Sequence, residues 1–446
     1  MTVAGEKVVV EGRKSIGTAL VIGGGVSGMQ AALDIADQGY SVVLVERTPS
    51  IGGVMAMLDK TFPTLDCSAC ILTPRLSEVA RHPNIDLMTY SEVKGITGTA
   101  GDFKVTVLRK ARKVLEDKCS GCGDCVPHCP IEVRNEFDQG LGYRKAVYIG
   151  FPQNTPLVYT IDSENCIKCG MCVKSCEREA IDLDLEDEEI EISVGAIVVA
   201  TGYELYDVTN YRRFGYGRFK NVINALEYER LINAAGPTAG NLMRLSDGKI
   251  PKSIGFIQCV GARDATKNVP YCSRVCCMYG IKNAVMAKEL QHENVKKVTI
   301  YSIDIRAFGK GFEEFYNMAK DRFGIKFVRG RVGEVSENSR NKNIIVRAED
   351  TTTGKFLEQE HELVVLCPGI LPPKGLRNTA NQLGLQLDSE GFIHVEQPAS
   401  NPVDTAVSGV YICGCVEGPK DIPDSVAAGS AAAMRASITL SREGEH

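Results

Sequence analysis

The chain has 446 residues, 44% of them hydrophobic, which is enough for two or three separate cores. Its formal net charge is −5, with acids and bases mixed and no long run of either sign, so nothing electrostatic favours nucleic acid or an anionic membrane as partner. No basic leader followed by an apolar core opens it, and apolar stretches such as Gly195 to Ala200 fall far short of a bilayer span; a cytoplasmic protein that meets proteins and small molecules is expected.

In chain order, Thr18 to Ile22 reads as a short buried strand running straight into Gly23-Gly24-Gly25-Val26-Ser27-Gly28. The apolar positions Met29, Ala32, Leu33, Ile35 and Ala36 then follow a helical period that stops at Gly39. The next strand, Ser41 to Val45, ends in Glu46, 18 residues beyond Gly28. A strand, a GxGxxG turn, a helix and an acid at that distance predict a dinucleotide site. Gly23 permits the tight turn, Gly25 lets the backbone approach a pyrophosphate, and Gly28 allows close helix packing. The helix N-terminus supplies donors and a favourable dipole, and Glu46 can accept from ribose hydroxyls.

Seventeen cysteines in a chain with no secretory signal point to metal or redox use before disulfides. Between Lys118 and about Glu179 eight of them fall in two groups and the apolar periodicity stops, which marks an inserted module. Cys119-x-x-Cys122-x-x-Cys125-x-x-x-Cys129-Pro130 is the full bacterial ferredoxin run, and Cys166, Cys169, Cys172 and Cys176 repeat it with Glu177 in place of proline. By the crossed ligation of two-cluster ferredoxins, Cys119, Cys122, Cys125 and Cys176 hold one [4Fe–4S] centre, and Cys166, Cys169, Cys172 and Cys129 the other. Paired CxxC groups also suit zinc, although three cysteines at three-residue intervals suit a cubane loop better.

Strand character returns over Glu189 to Ala200 and closes with Ala200-Thr201-Gly202. A helix-like piece, Asn224 to Ala235, leads to a second βα unit with a strand at Ser253 to Gln258, a helix from about Cys276 to Gln291 and a strand at Lys297 to Ser302. Where its glycines belong stands Cys259-Val260-Gly261-Ala262-Arg263, so no nicotinamide nucleotide is expected there. Cys272, Cys276 and Cys277 follow, and buried inert thiols are one reading of these four cysteines. A strand at Val410 to Cys413 and an Ala-rich helix from about Asp424 to Leu440 complete the pattern.

Thr201-Gly202 after its strand, and the late strand Gly409 to Gly414 turning into a helix, resemble thioredoxin-reductase-like flavoproteins, which implies FAD. The acid that usually follows the last glycine is here Cys415. The expected fold is α/β: a thioredoxin-reductase-like pair of Rossmann-type dinucleotide-binding domains with an inserted two-cluster bacterial ferredoxin domain of α+β type. The expected bounds are 1–111, 188–247 (with a linker) and 367–446 for the FAD domain, 112–187 for the insert, and 248–366 for the second Rossmann-like domain. Candidate FAD contacts are Gly23, Gly25, Gly28, Glu46, Arg47, Gly53, Thr201, Gly202, Gly414, Cys415, Asp421 and Ile422.

Three stretches narrow the resemblance. Asp66-Cys67-Ser68-Ala69-Cys70-Ile71-Leu72-Thr73-Pro74, Cys259 with Tyr271 to Tyr279, and Gly418 to Asp424 are similar to the A-type polypeptide of heterodisulfide reductase, and the likeness covers nearly the whole chain. It implies that Cys259, Cys272, Cys276 and Cys277 hold a third [4Fe–4S] cluster, and that Lys282 and Glu229 lie near the flavin ring; solvated helix charges are the plainer reading of those two. It also implies a flavin hub that works in a complex with heterodisulfide reductase B- and C-like subunits. Such a hub is fed by a hydrogenase, formate dehydrogenase or NADH-oxidising module, and electrons part between ferredoxin and a disulfide; a homodimer is also admitted. Against the long family members the sequence reads as a short form without the extra N-terminal domain and the C-terminal ferredoxin domain. The alternatives are a noncatalytic electron relay and an NAD(P)H-fed FAD oxidoreductase with a ferredoxin module, similar to the smaller polypeptide of glutamate synthase. Cys67 and Cys70 read first as packed or structural thiols, then as a redox pair or a metal half-site. Cys367, Cys413 and Cys415 read as buried small residues.

Overall fold

A computed structural model describes residues 8–9, 17–290 and 294–443. The chain divides into two compact units, one made of residues 1–56, 71–203 and 372–446 and the other of residues 57–70 and 204–371.

The first unit is built on a five-stranded parallel sheet in the order Val410–Ile412, Ala196–Val199, Thr18–Ile22, Ser41–Glu46, Ile85–Thr89. Its three central strands are almost wholly apolar because both faces are covered. One face meets the helices Val26–Asp37 and Ile422–Glu443 through residues such as Ala32, Ile35, Ala432 and Ala436. The other meets an antiparallel sheet that includes Ser91–Thr99, Asp102–Arg109 and Glu188–Val194.

The single strand expected over Glu189 to Ala200 is two strands in two sheets, parted at Gly195, whose N–H donates to the Thr18 carbonyl at 2.8 Å. The physical reason is visible in the residues. Ile190, Ile192 and Val194 alternate with polar neighbours, as a half-solvated strand requires, whereas Ala196 to Val199 is apolar throughout. The cysteine-rich insert belongs to this unit. It consists of short strand pairs and the five-residue helix Met171–Ser175 round a small core of Val114, Cys125, Val147, Val158, Ile161, Cys172, Ala180 and Ile181.

The second unit has its own five-stranded parallel sheet, ordered Val222–Asn224, Leu363–Pro368, Ser253–Val260, Lys297–Ser302, Lys326–Arg329. An antiparallel sheet of Val332–Glu337, Ile344–Asp350 and Lys355–His361 accompanies it. Besides residues 57–70 the unit holds 204–371, in which Val222–Asn224 joins the parallel sheet and Glu204–Leu205 pairs with Ile370–Leu371. Among the described residues no helix is long and apolar enough to cross a membrane.

Candidate flavin and iron–sulfur sites

In the first unit the glycine turn is shaped by close approach. Gly23 adopts φ +112°, and a Cβ there would meet the Ala200 carbonyl oxygen at 2.4 Å; one on Gly28 would meet the Gly23 oxygen at 1.9 Å. A Cβ on Gly25 would meet nothing within 4 Å, while one on Gly53 would lie 3.1 Å from the Gly25 Cα, so bare backbone faces bare backbone beside the helix start. Glu46 holds the turn from the next strand: one carboxylate oxygen accepts the Gly24 N–H at 2.7 Å, and the other accepts the Thr48 N–H and hydroxyl, each at 2.8 Å. Arg47 is exposed.

The Thr201 hydroxyl oxygen is buried without a hydrogen-bond partner among the described residues, next to Gly202 at φ +74°. A buried hydroxyl left unpaired costs about 1–3 kcal/mol, so an acceptor or donor supplied from outside the chain fits there. Gly414 (φ +72°) and Cys415 form a single turn after the last strand, and the Cys415 thiol donates to the Lys420 carbonyl at 3.6 Å. Burial pushes that thiol up, and it lifts the Cys413 thiol to about 12. The Asp421 carboxylate accepts the Asp424 N–H at 2.9 Å at the head of the helix Ile422–Glu443. Bare glycines, an orphaned hydroxyl and a helix N-terminus are what an FAD pyrophosphate needs.

In the insert, Cys129 of the first run lines one cavity together with Cys166, Cys169 and Cys172 of the second, as crossed ligation requires. Cys125 lies near Cys119, Cys122 and Cys172, and burial pushes its thiol up to about 12. Among the described residues no three His, Cys, Asp or Glu side chains gather as a single metal ion would need.

The second unit collects four more thiols. Cys259 ends the strand Ser253–Val260 in the left-handed region (φ +59°), where the register shifts between Ile257 and Val260. The Cys272 sulfur accepts the Arg274 N–H at 3.3 Å. Cys276 and Cys277 open the helix Cys276–Leu290; their thiols donate to the carbonyls of Pro368 (3.7 Å) and Asp304 (3.8 Å). Cys259, Cys272 and Cys277 lie near enough to Cys276 to raise its thiol, Cys259 and Cys272 do the same to Cys277, and Cys367 is a fully buried fifth; burial is the largest cause in each case. The Arg263 guanidinium and Asp304, neither of which the sequence singled out, stand beside Cys259.

Lys282 and Glu229 are not solvated helix charges. Their side chains are 2% and 4% exposed, and Lys282 Nζ donates to Glu229 Oε1. The other carboxylate oxygen accepts the Asp59 N–H at 3.0 Å. A capping box at Asn224 and Glu227 fixes the helix Ala225–Ile232 that presents Glu229. Burial and the nearby Glu229 charge raise the Asp59 carboxyl. Cys67 and Cys70, read first as packed or structural thiols and next as a redox pair, form a disulfide with a Cα separation of 5.2 Å.

A family described as "FAD dependent oxidoreductase" matches residues 19–66, and one described as "4Fe-4S dicluster domain" matches residues 118–181. The fold is that of the thioredoxin reductase of T. acidophilum, at a TM-score of 0.52 and 16% identity over 95% of this chain and 98% of that one. The two family matches give the class, an FAD-dependent oxidoreductase with a 4Fe-4S dicluster domain.

The A-type polypeptide of the H(2):CoB-CoM heterodisulfide,ferredoxin reductase of Methanothermobacter marburgensis is 53% identical over 95% of this chain and 64% of its own length. Its counterpart in the Ferredoxin/F(420)H(2)-dependent CoB-CoM heterodisulfide reductase of Methanosarcina acetivorans is 45% identical over 93% of this chain and 52% of its own. Over nearly its whole length the chain is similar to these A-type heterodisulfide reductase polypeptides, and it spans less than two thirds of their length.

Proposed function

We propose that this chain is the flavin and iron–sulfur hub of a cytoplasmic heterodisulfide reductase-type complex. In this reading electron pairs from a hydrogenase, formate dehydrogenase or NADH-oxidising module part between ferredoxin and a disulfide that B- and C-like subunits reduce. When bound, FAD supplies the exchange between two-electron and one-electron chemistry, and the clusters carry single electrons. The residues of the chain hold and tune these groups. Gly23, Gly25, Gly28, Gly53 and Thr201 receive the pyrophosphate side of FAD, and Glu46 fixes the turn. The crossed cysteine sets hold two clusters, and Cys259, Cys272, Cys276 and Cys277 hold a third.

The observation that carries the reading is the convergence of those last four thiols at the end of Ser253–Val260, where a nicotinamide-binding domain would place its phosphate turn. Anaerobically purified protein is expected to contain one FAD and about twelve irons, four per cubane, with equal acid-labile sulfide. About eight irons would remove the third cluster.

A further inference from the structure

We propose that Arg263 sets the reduction potential of the centre held by Cys259, Cys272, Cys276 and Cys277, its guanidinium being fixed beside the Cys259 sulfur by a forked ion pair with Asp304. The inference rests on the reading of those four thiols as cluster ligands. Arg263 Nη1 and Nη2 donate to the two carboxylate oxygens of Asp304 at 2.6 and 3.0 Å, and the Arg263 side chain is 20% exposed. The backbone is held as firmly. Arg263 adopts φ +55°, its N–H donates to the Tyr271 carbonyl at 2.8 Å, and its own carbonyl accepts from Arg331. A side-chain-bearing residue in that region is strained, which the surrounding bonds must offset.

Asp304 closes the arrangement on a second cysteine, since its carbonyl accepts the Cys277 thiol at 3.8 Å. A surface ion pair made for stability alone needs neither the left-handed backbone nor a place between Cys259, which feels the Arg263 charge, and Cys277, which reaches the Asp304 backbone. The charge balance favours the cation. Arg306 Nε also lies 3.4 Å from Asp304, so two guanidiniums face one carboxylate on this side of the cysteines. Reducing a cluster adds one negative charge to it, and a fixed cation beside it stabilises that state and raises the potential. Arg supplies this better than Lys, because two N–H groups can stay on Asp304 while others face the sulfur.

The test is an anaerobic redox titration of the full chain followed by electron paramagnetic resonance, with iron content measured on each sample. Arg263→Met is expected to keep the iron and lower one centre at least tenfold in its reduction equilibrium, about 59 mV for a one-electron couple, leaving the two ferredoxin centres where they were. Arg263→Lys recovers part of the shift. Asp304→Asn frees the guanidinium from its counter-charge and moves the same centre upward, with the backbone beside Cys277 left in place. Unmoved potentials at full iron content would overturn the proposal, as would movement of the ferredoxin centres instead. If Arg263→Met loses about four irons, Asp304→Asn decides: no upward shift overturns the proposal. Wild-type protein with about eight irons would refute the third cluster itself, a failure distinct from these.

Discussion

Breaking the buried pair between Lys282 and Glu229 should be costly, and removing both charges should not. At a nominal contact of about 3 Å and an effective dielectric near 20, two unit charges attract by about 5–6 kcal/mol. Stripping water from each ion costs several kcal/mol, so the intact pair comes out near balance. A single substitution removes the attraction and leaves the desolvation. In Lys282→Met the Glu229 carboxylate keeps only the Asp59 N–H, beside an Asp59 carboxyl that burial and Glu229 already raise.

Each of Lys282→Met and Glu229→Gln is therefore expected to cost about 3–5 kcal/mol, and Lys282→Met/Glu229→Leu to return close to the wild-type value or above it. Two units and several cofactors make one global unfolding energy ill-defined, so the readout is amide hydrogen exchange in the helices Ala225–Ile232 and Cys276–Leu290 under anaerobic conditions. The single variants should exchange roughly 150- to 5,000-fold faster there, until global opening sets the limit. Single variants within about threefold of wild type, or a double variant as labile as either single, would refute the argument.

Replacing Cys272 with Ala should remove one centre and about four irons while both ferredoxin centres keep their spectra, because the ligand sets are disjoint; three unchanged centres would end the assignment. NADH should not bleach the bound flavin at a useful rate, since the turn that would bind its pyrophosphate is Cys259-Val260-Gly261, and rapid anaerobic bleaching would favour the NAD(P)H-fed alternative. His361 is fully buried against the Tyr301 hydroxyl, at 2.7 Å, and burial lowers its pKa to about 3, with the charge of Lys297 adding to the effect. The folded value lies below the unfolded 6.5, so the unfolded state binds more protons between them and stability falls as pH drops through that window. Between pH 7 and 5 the loss should be about 2 kcal/mol, read from amide exchange in Ser253–Val260 and Lys355–His361, and His361→Gln should flatten it.

The sequence was most informative where chemistry demands fixed spacing. The glycine turn, its helix and Glu46 stand where the pattern placed them, because a pyrophosphate turn has few backbone solutions. The strand Lys297–Ser302 was legible to the residue, since its apolar run is bounded on both sides. Partners far apart in sequence were not legible. Nothing in the pattern says that Lys282 and Glu229, 53 residues apart, form an ion pair, or that Asp59 completes it from 170 residues away. The late strand Leu363–Pro368 and the sheet around Ile344–Asp350 were missed because they carry no motif. Arg263 and Asp304 look like ordinary loop charges until the fold brings Asp304 to Cys277.

The cavity that joins Cys129 to Cys166, Cys169 and Cys172 has a consequence for how the insert is made. Its strands are two or three residues long and its core is small, too little to hold the segment by burial alone. Crossed ligation would turn each cubane into a staple between the two cysteine runs, shortening the open loop between them much as a disulfide shortens a small secreted domain. Neither staple closes until both runs have met. Iron loading and folding of this segment would then be one event, and a chain starved of iron during synthesis would have no half-built module to repair, only an unfolded one to discard.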